Sequence, residues 1–210
     1  MLRKLALLVA ILIAVSPRAP ANAADAVSDP AARQIETFYG SLIDTMKHGP
    51  QLGMMGRYKA LEPAVDKAFD LVSSMRLIIG PSWSTMPDAD KNALVTAFRR
   101  MTIANYASNF DTFSGERFDV DPNVQTRGPD KLVDSKLVPQ GGQPTQFIYR
   151  MRQSGGTWKI IDVYLAGFVS QAALKRSDFA STLAAQGPQG LAKRINSLAD
   201  ASLAGAKTNP

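Results

Sequence analysis

The apolar residues of this chain repeat with a helical period up to about Ser114, alternate from there to Phe168, and then return to a helical period. Helices, then a run of strands, then helices again give an α+β layout with an antiparallel sheet. Ile35, Phe38, Tyr39, Leu42, Ile43 and Met46 follow i, i+3, i+4, i+7, i+8, i+11, which is one helix with one apolar face. Gly49-Pro50 ends it, and the segment to Gly56, with Met54 and Met55, reads as loose. Leu61, Val65, Phe69, Val72 and Ile79 mark a second helix, its apolar face widened by Leu71, Met75 and Ile78. Glu62-Pro63 suits its first turn, and Gly80-Pro81 stops it. Asp88 and Asp90 open a third helix, whose stripe runs Leu94, Phe98, Met101, Thr102, Tyr106, Phe110 and Phe113.

The alternating region predicts about four strands, at 116–126, 131–139, 143–153 and 157–168, punctuated by Asp121-Pro122, Gly128-Pro129 and Gly141-Gly142. Ser154-Gly155-Gly156-Thr157 between the last two is a strong hairpin signal. Folding symmetrically about the two glycines pairs Met151 with Ile160, Tyr149 with Asp162, and Phe147 with Tyr164. One face then carries Phe147, Tyr149, Met151, Trp158, Ile160 and Tyr164, and it is packed against something. Two short helices, 171–186 and 189–204, follow on either side of Gly187-Pro188, and 205–210 reads as a frayed tail.

Residues 1–24 read as an export signal. Arg3 and Lys4 precede an uncharged apolar run from Leu5 to Val15, Pro17 and Pro20 break it, and Ala21-Asn22-Ala23 fits a small-x-small cleavage site. The run is too short for a stable membrane span, although an uncleaved anchor is the competing reading. The mature chain is expected to begin near Ala24 or Asp25 in a bacterial periplasm, with 25–210 forming one domain. Cleavage removes Arg3, Lys4 and Arg18 and no acid, so the formal net charge falls from +6 to about +3, too mild for a nucleic-acid footprint. An exported chain with 0 Cys has no disulfides, thiol catalysis or zinc–thiolate sites, and packing alone must stabilise it.

Catalytic signatures are missing: there is no phosphate-binding GxxxxGK[ST], no GxGxxG after a strand, no HExxH and no GxSxG. The one histidine, His48, stands where the first helix stops and suits the last-turn carbonyls. Asp88 and Asp90 suit a helix N-terminus better than a metal pair. Asp162 interrupts an aromatic face, so a buried carboxylate there needs a partner; Tyr149, Arg76 or Arg176 are the candidates. What stands out is apolar surplus, with thirteen aromatic residues on faces that would all point inward and adaptable methionines at Met54, Met55, Met75, Met86 and Met101. The pattern does not separate a filled core from one with a lipid-sized hole.

The stretch Trp158-Lys159-Ile160-Ile161-Asp162-Val163-Tyr164-Leu165-Ala166-Gly167-Phe168-Val169-Ser170, followed by Leu174-Lys175-Arg176-Ser177-Asp178-Phe179, resembles the MlaC/Ttg2D (toluene tolerance protein) family of periplasmic lipid carriers. Phe69-Asp70, the Leu77–Trp83 turn, Phe98 and Tyr106 match its spacing, and the resemblance runs from Gln34 to Leu198. Within the family, Asp162–Leu165 and Arg176–Phe179 look most like the HpnM members encoded with hopanoid biosynthesis; Leu174-Lys175 departs from the commoner Tyr-Arg. The resemblance implies helices against a curved antiparallel sheet, with an apolar cavity between the layers for the tails of a phospholipid or hopanoid. It also implies a monomeric carrier, without cofactor or metal, that shuttles between an inner-membrane ABC/MCE transporter complex and an outer-membrane lipid-transfer complex. On this reading the slot lies between the first three helices and the aromatic face of the last hairpin, lined by Phe38, Leu42, Phe69, Val72, Phe98, Tyr106, Tyr149, Trp158, Ile160 and Tyr164, and Val72→Trp would narrow it. The pairs Arg99-Arg100, Lys175-Arg176 and Lys193-Arg194 read as solvated helix faces, or as docking sites for acidic membranes and partner complexes. Two other classes stay open: a small α+β enzyme using Asp162, and a solid-core periplasmic interaction module.

Overall fold

A computed structural model describes residues 29–206. The export signal, the mature N-terminus at Ala24 or Asp25 and residues 207–210 of the tail lie outside the described residues. Helix α1 spans Pro30–Lys47 and buries Ile35, Phe38, Tyr39, Leu42 and Met46, as their spacing requires. Asp29 caps its start, accepting from the Ala31 N–H at 2.8 Å, and Pro30 fills the first turn. His48 is its C-cap, with Nδ1 2.8 Å from the Asp44 carbonyl oxygen. Gly49-Pro50 then starts a helix rather than a loose segment: α2 runs Gly49–Ala68, kinked at Gly53 (φ 59°), with Pro63 in its interior rather than its first turn. Gly49 is there for space, since a Cβ would sit 1.8 Å from the Asp111 carbonyl oxygen. Beside it the buried Arg57 guanidinium donates to the carbonyls of Ala107 (2.8 Å) and Gly49 (3.0 Å).

The expected helix through Phe69 and Val72 is two helices. Phe69 is extended (φ −105°, ψ 143°), and Asp70 caps a new helix, α3, Leu71–Ile79. The Asp70 carboxylate accepts from the Ser73 N–H at 2.9 Å and from the Ser73 hydroxyl at 2.8 Å. A 3-10 turn, Gly80–Trp83, leads on to α4, Asp88–Asn109, with Asp88 and Asp90 in its first turn.

Among the described residues, six strands form one antiparallel sheet: β1 Arg117–Val120, β2 Gln125–Arg127, β3 Asp130–Val138, β4 Thr145–Ser154, β5 Thr157–Leu165 and β6 Val169–Ser170. The order is β1-β3-β4-β5-β6, with β2 also on β3. The expected first strand is divided because Pro122 has no N–H for the ladder; its two pieces pair with opposite ends of β3. The last expected strand also divides, since Ala166 (φ 50°) and Gly167 (φ 79°) reverse the chain and β6 returns along β5. The hairpin at Gly155-Gly156 forms where expected, and Met151 pairs with Ile160.

One residue further the register shifts. Arg150 pairs with Asp162, Tyr149 with Val163 and Ile148 with Tyr164, leaving Ile161 as the extra residue of a bulge. A bulge of one residue exchanges the faces of everything beyond it. Val163 therefore joins Tyr149 on the helix-facing side, and Tyr164 moves to the other face with Ile148.

Helix α5, Gln171–Leu203, follows β6 and is kinked at Gly187 (φ 68°) before Pro188, where two helices were expected to meet. It packs along α4, and α3 and α5 both reach β5. The beginning of the expected frayed tail is tied down: the Ala206 carbonyl accepts from the Ser108 hydroxyl at 3.0 Å. The core between helices and sheet includes Leu61, Leu94, Ile103, Met151 and Ile160, all fully buried, each contributing roughly 1.5–3 kcal/mol of apolar transfer.

Candidate lipid site

A narrow cavity lies between the layers. Phe69 enters from the break between α2 and α3, Ile78 from α3, Phe98, Thr102 and Tyr106 from α4, and Ala172 and Lys175 from α5. Ile161, Asp162 and Val163 of β5 form its sheet side. Its volume is about 50 Å³, room for a few waters and not for an acyl chain. Nearly all of the wall is apolar. Behind it the rings of Phe38, Phe69 and Tyr106 meet edge to face or tilted, with centroids 5.5 Å (Phe38–Phe69), 5.2 Å (Phe38–Tyr106) and 5.8 Å (Phe69–Tyr106) apart. The contacts continue from α1 to the sheet through Tyr39–Tyr149 (5.8 Å) and along β4 through Phe147–Tyr149 (6.3 Å). Burial raises the phenols of Tyr39, Tyr106 and Tyr149, so at neutral pH these hydroxyls are uncharged. The Tyr39 hydroxyl shares a 2.6 Å hydrogen bond with the Ser135 hydroxyl.

The expected liners separate into three groups. Phe69, Phe98 and Tyr106 form the wall. Phe38, Leu42, Tyr149 and Ile160 are buried in the core. Trp158, Val72 and Tyr164 are elsewhere. Trp158 closes the end of the hairpin under the Lys131 ammonium, 4.7 Å from its ring centroid, and Lys131 pairs with Asp29 at 2.5 Å. Val72 is 47 % exposed, because the α2–α3 break rotates it off the apolar stripe, and a tryptophan there would not narrow the cavity. Tyr164 lines a second, larger concavity on the opposite face of the sheet, about 480 Å³, with Arg127, Asp130, Ile148, Arg150 and Phe168. That hollow has charged walls, which suit acyl tails poorly.

Ile78, Thr102, Ile161, Val163, Ala172 and Lys175 also line the cavity, outside the expected set. Ile161 and Val163 depend on the bulge, which the sequence does not announce. Lys175 sits in the family-like stretch after the hairpin, and that was the available signal.

Asp162 has neither a tyrosine nor an arginine as its partner. Its Oδ1 accepts from the N–H groups of Val163 (2.8 Å) and Ala172 (3.0 Å), and its Oδ2 from the Ser170 hydroxyl (2.6 Å). Ser170 in turn accepts from the Ala173 N–H at 3.0 Å. The carboxylate thus anchors the start of α5 to β5, where the free N–H groups and helix dipole favour an anion. Arg176 goes instead to the Leu77 carbonyl, donating from Nε at 3.0 Å and also from Nη2, and ties α5 to the end of α3.

Three other polar side chains of the wall are hydrogen-bonded within the protein. Ser74 donates to the Asp70 carbonyl (3.0 Å), Asn105 accepts from the Ser202 hydroxyl (2.7 Å), and Gln171 donates to the Val169 carbonyl (3.3 Å). Lys175 differs: among the described residues its ammonium makes no hydrogen bond and no ion pair within 4 Å. Burial lowers its pKa, and the more distant charges of Asp178 and Asp162 only partly offset that.

The sequence profile of the family described as "MlaC protein" matches residues 36–197. The chain belongs to the MlaC family. Its fold is also that of a solved structure, the phospholipid-binding protein from Ralstonia solanacearum in complex with a phospholipid. The two superpose with a TM-score of 0.71 over 83 % of this chain and 98 % of that one, at 19 % sequence identity. None of the curated proteins compared with this MlaC-family chain matches its sequence significantly. No helix among the described residues is long and apolar enough to cross a membrane.

Proposed function

We propose that this chain is a periplasmic lipid carrier that shelters the acyl tails of a phospholipid between α3, α4, α5 and β5. The observation that carries the reading is the apolar cavity between the layers, in a family whose fold is shared by a protein solved with a phospholipid. Each methylene left in water costs about 0.8 kcal/mol. A two-tailed lipid with roughly thirty methylenes would therefore cost on the order of 20 kcal/mol to expose, and a shuttle across an aqueous compartment must supply a dry slot. The cavity is smaller than a tail, so the helices part from β5 as the lipid enters, and the apolar walls close again when it leaves.

The reading includes removal of residues 1–24, one carrier domain from 25 to 210, a monomer, and exchange with an inner-membrane ABC/MCE complex and an outer-membrane complex. It assigns binding and carriage, without catalysis. The hydrogen bonds on both oxygens of Asp162 favour an anchor over a general base. The stretches resembling HpnM members make a hopanoid the alternative cargo.

The test is mass spectrometry of the purified chain, native and after organic extraction. Stoichiometric phospholipid supports the proposal, and stoichiometric hopanoid moves the cargo to the alternative. A lipid-free protein that also takes up nothing from vesicles overturns it in favour of a solid-core module.

A further inference from the structure

The cavity wall contains one charge that the fold itself does not use. Asp162, Ser74, Asn105 and Gln171 are each hydrogen-bonded within the protein. Lys175 is half-buried beside Ala172 in the same wall, with its ammonium unpartnered among the described residues. Its neighbour Arg176, by contrast, is committed to the Leu77 carbonyl. A partly desolvated ammonium without a counter-ion costs free energy, and a fold gains nothing from keeping it there. Its place fits a ligand that brings an anion to the edge of an apolar slot. The tails lie among Phe69, Phe98, Ile161 and Val163, and the polar end reaches α5.

We infer that the Lys175 ammonium is the headgroup anchor of this cavity and selects lipids whose polar end carries net negative charge. The inference rests on the carrier reading above. A zwitterionic head carries its own ammonium, which competes with Lys175 for the phosphodiester. An anionic head, such as that of phosphatidylglycerol, leaves the phosphodiester free to accept a charge-assisted hydrogen bond. A neutral-headed polycyclic lipid gains nothing from the lysine.

The experiment equilibrates the purified chain with vesicles of equimolar phosphatidylglycerol and phosphatidylcholine. The protein is re-isolated and the ratio of bound lipids read by mass spectrometry. Reading at equilibrium keeps faster docking on anionic vesicles out of the result. The chain should hold phosphatidylglycerol in roughly five- to tenfold excess, the range of one charge-assisted hydrogen bond at a half-exposed site. Lys175→Gln should bring the ratio back to that of the vesicles, and Lys175→Arg should keep the excess. An excess that survives in Lys175→Gln overturns the assignment, as does lipid uptake by the unaltered chain without any excess. Loss of all lipid from both variants makes Lys175 a packing residue and also overturns it. Failure of the unaltered chain to take up either lipid removes the carrier reading together with this one.

Discussion

The backbone N–H of Asp70 donates to the Ile160 carbonyl at 2.9 Å, and Phe69 pairs with Ile160 as an isolated parallel bridge. This contact interrupts the helix and sends the Phe69 ring into the space between the layers, against Phe38 and Tyr106. It also restarts the chain as α3, whose Ile78 forms part of the cavity wall. A continuous helix would have left Val72 and Phe69 on one stripe and the sheet without that contact.

Filling the cavity tests its role. Thr102 lies in its wall on α4 and is only partly buried. Thr102→Trp occupies the space that the tails need, and lipid uptake from vesicles should fall on the order of tenfold. Its melting temperature should change by only a few degrees, since the overpacking cost is about 1–3 kcal/mol. Val72→Trp, outside the cavity, should leave uptake unchanged. Equal effects of the two would place the tails elsewhere.

Asp162 is a structural anchor, so removing its oxygens acts on stability. Asp162→Ala orphans the N–H groups of Val163 and Ala172 and should cost about 2–3 kcal/mol in urea unfolding. Asp162→Asn keeps one acceptor and should cost less. A cost below about 0.5 kcal/mol for the alanine variant contradicts the anchor role.

Asp130 gives the clearest pH signature. It is 3 % exposed and accepts from Arg150 (2.7 Å) and from Arg152 (2.6 and 2.9 Å). Burial raises its carboxyl, but the hydrogen bonds and charges of Arg152 and Arg150 outweigh that and hold it below its ordinary value of 3.8. A carboxyl lowered by folding contributes stability above its unfolded pKa and loses it as pH falls through the folded one. Asp130→Asn should therefore cost about 2 kcal/mol at pH 7, discounted because both arginines are about a third exposed. The difference from the unaltered chain should shrink below pH ~4. A difference that stays constant from pH 7 to pH 2 contradicts the ion-pair account.

Gly49 is required for space. Its absent side chain leaves room for the Asp111 carbonyl, and a Cβ would approach it to 1.8 Å. Gly49→Ala should destabilise the chain by about 3 kcal/mol through displaced backbone. The same displacement disturbs the Arg57 hydrogen bonds to Gly49 and Ala107. Thermal unfolding measures this, and a neutral outcome contradicts the close packing of α2 on the end of α4.

The parts of this fold that were legible in the sequence are those where one local signal dominates. The single apolar face of α1, the acids opening α4, Gly155-Gly156 in the hairpin and Gly187-Pro188 in α5 each left one option. The break at Phe69-Asp70 was hidden because Val65, Phe69 and Val72 keep the helical period across it. Asp70 announces a cap only once its Ser73 contact is seen. The bulge at Ile161 was hidden because Ile160, Ile161 and Val163 suit either face, so the pairing beyond Met151 followed a tertiary demand: Asp162 had to meet the start of α5. From these two irregularities follow the misplacement of Val72 and Tyr164 and the omission of Ile161 and Val163 from the expected liners. Phe69, Phe98 and Tyr106 keep their places beside the cavity because their positions survive both.

The most direct measurement is photo-crosslinking with a phospholipid that carries a diazirine in one acyl chain, followed by peptide mapping. The account predicts adducts on Phe69, Phe98, Thr102, Tyr106, Ile161 and Val163, and their loss in Thr102→Trp. Adducts confined to Ile148, Tyr164 and Phe168 on the opposite face of the sheet, or none at all, would contradict it.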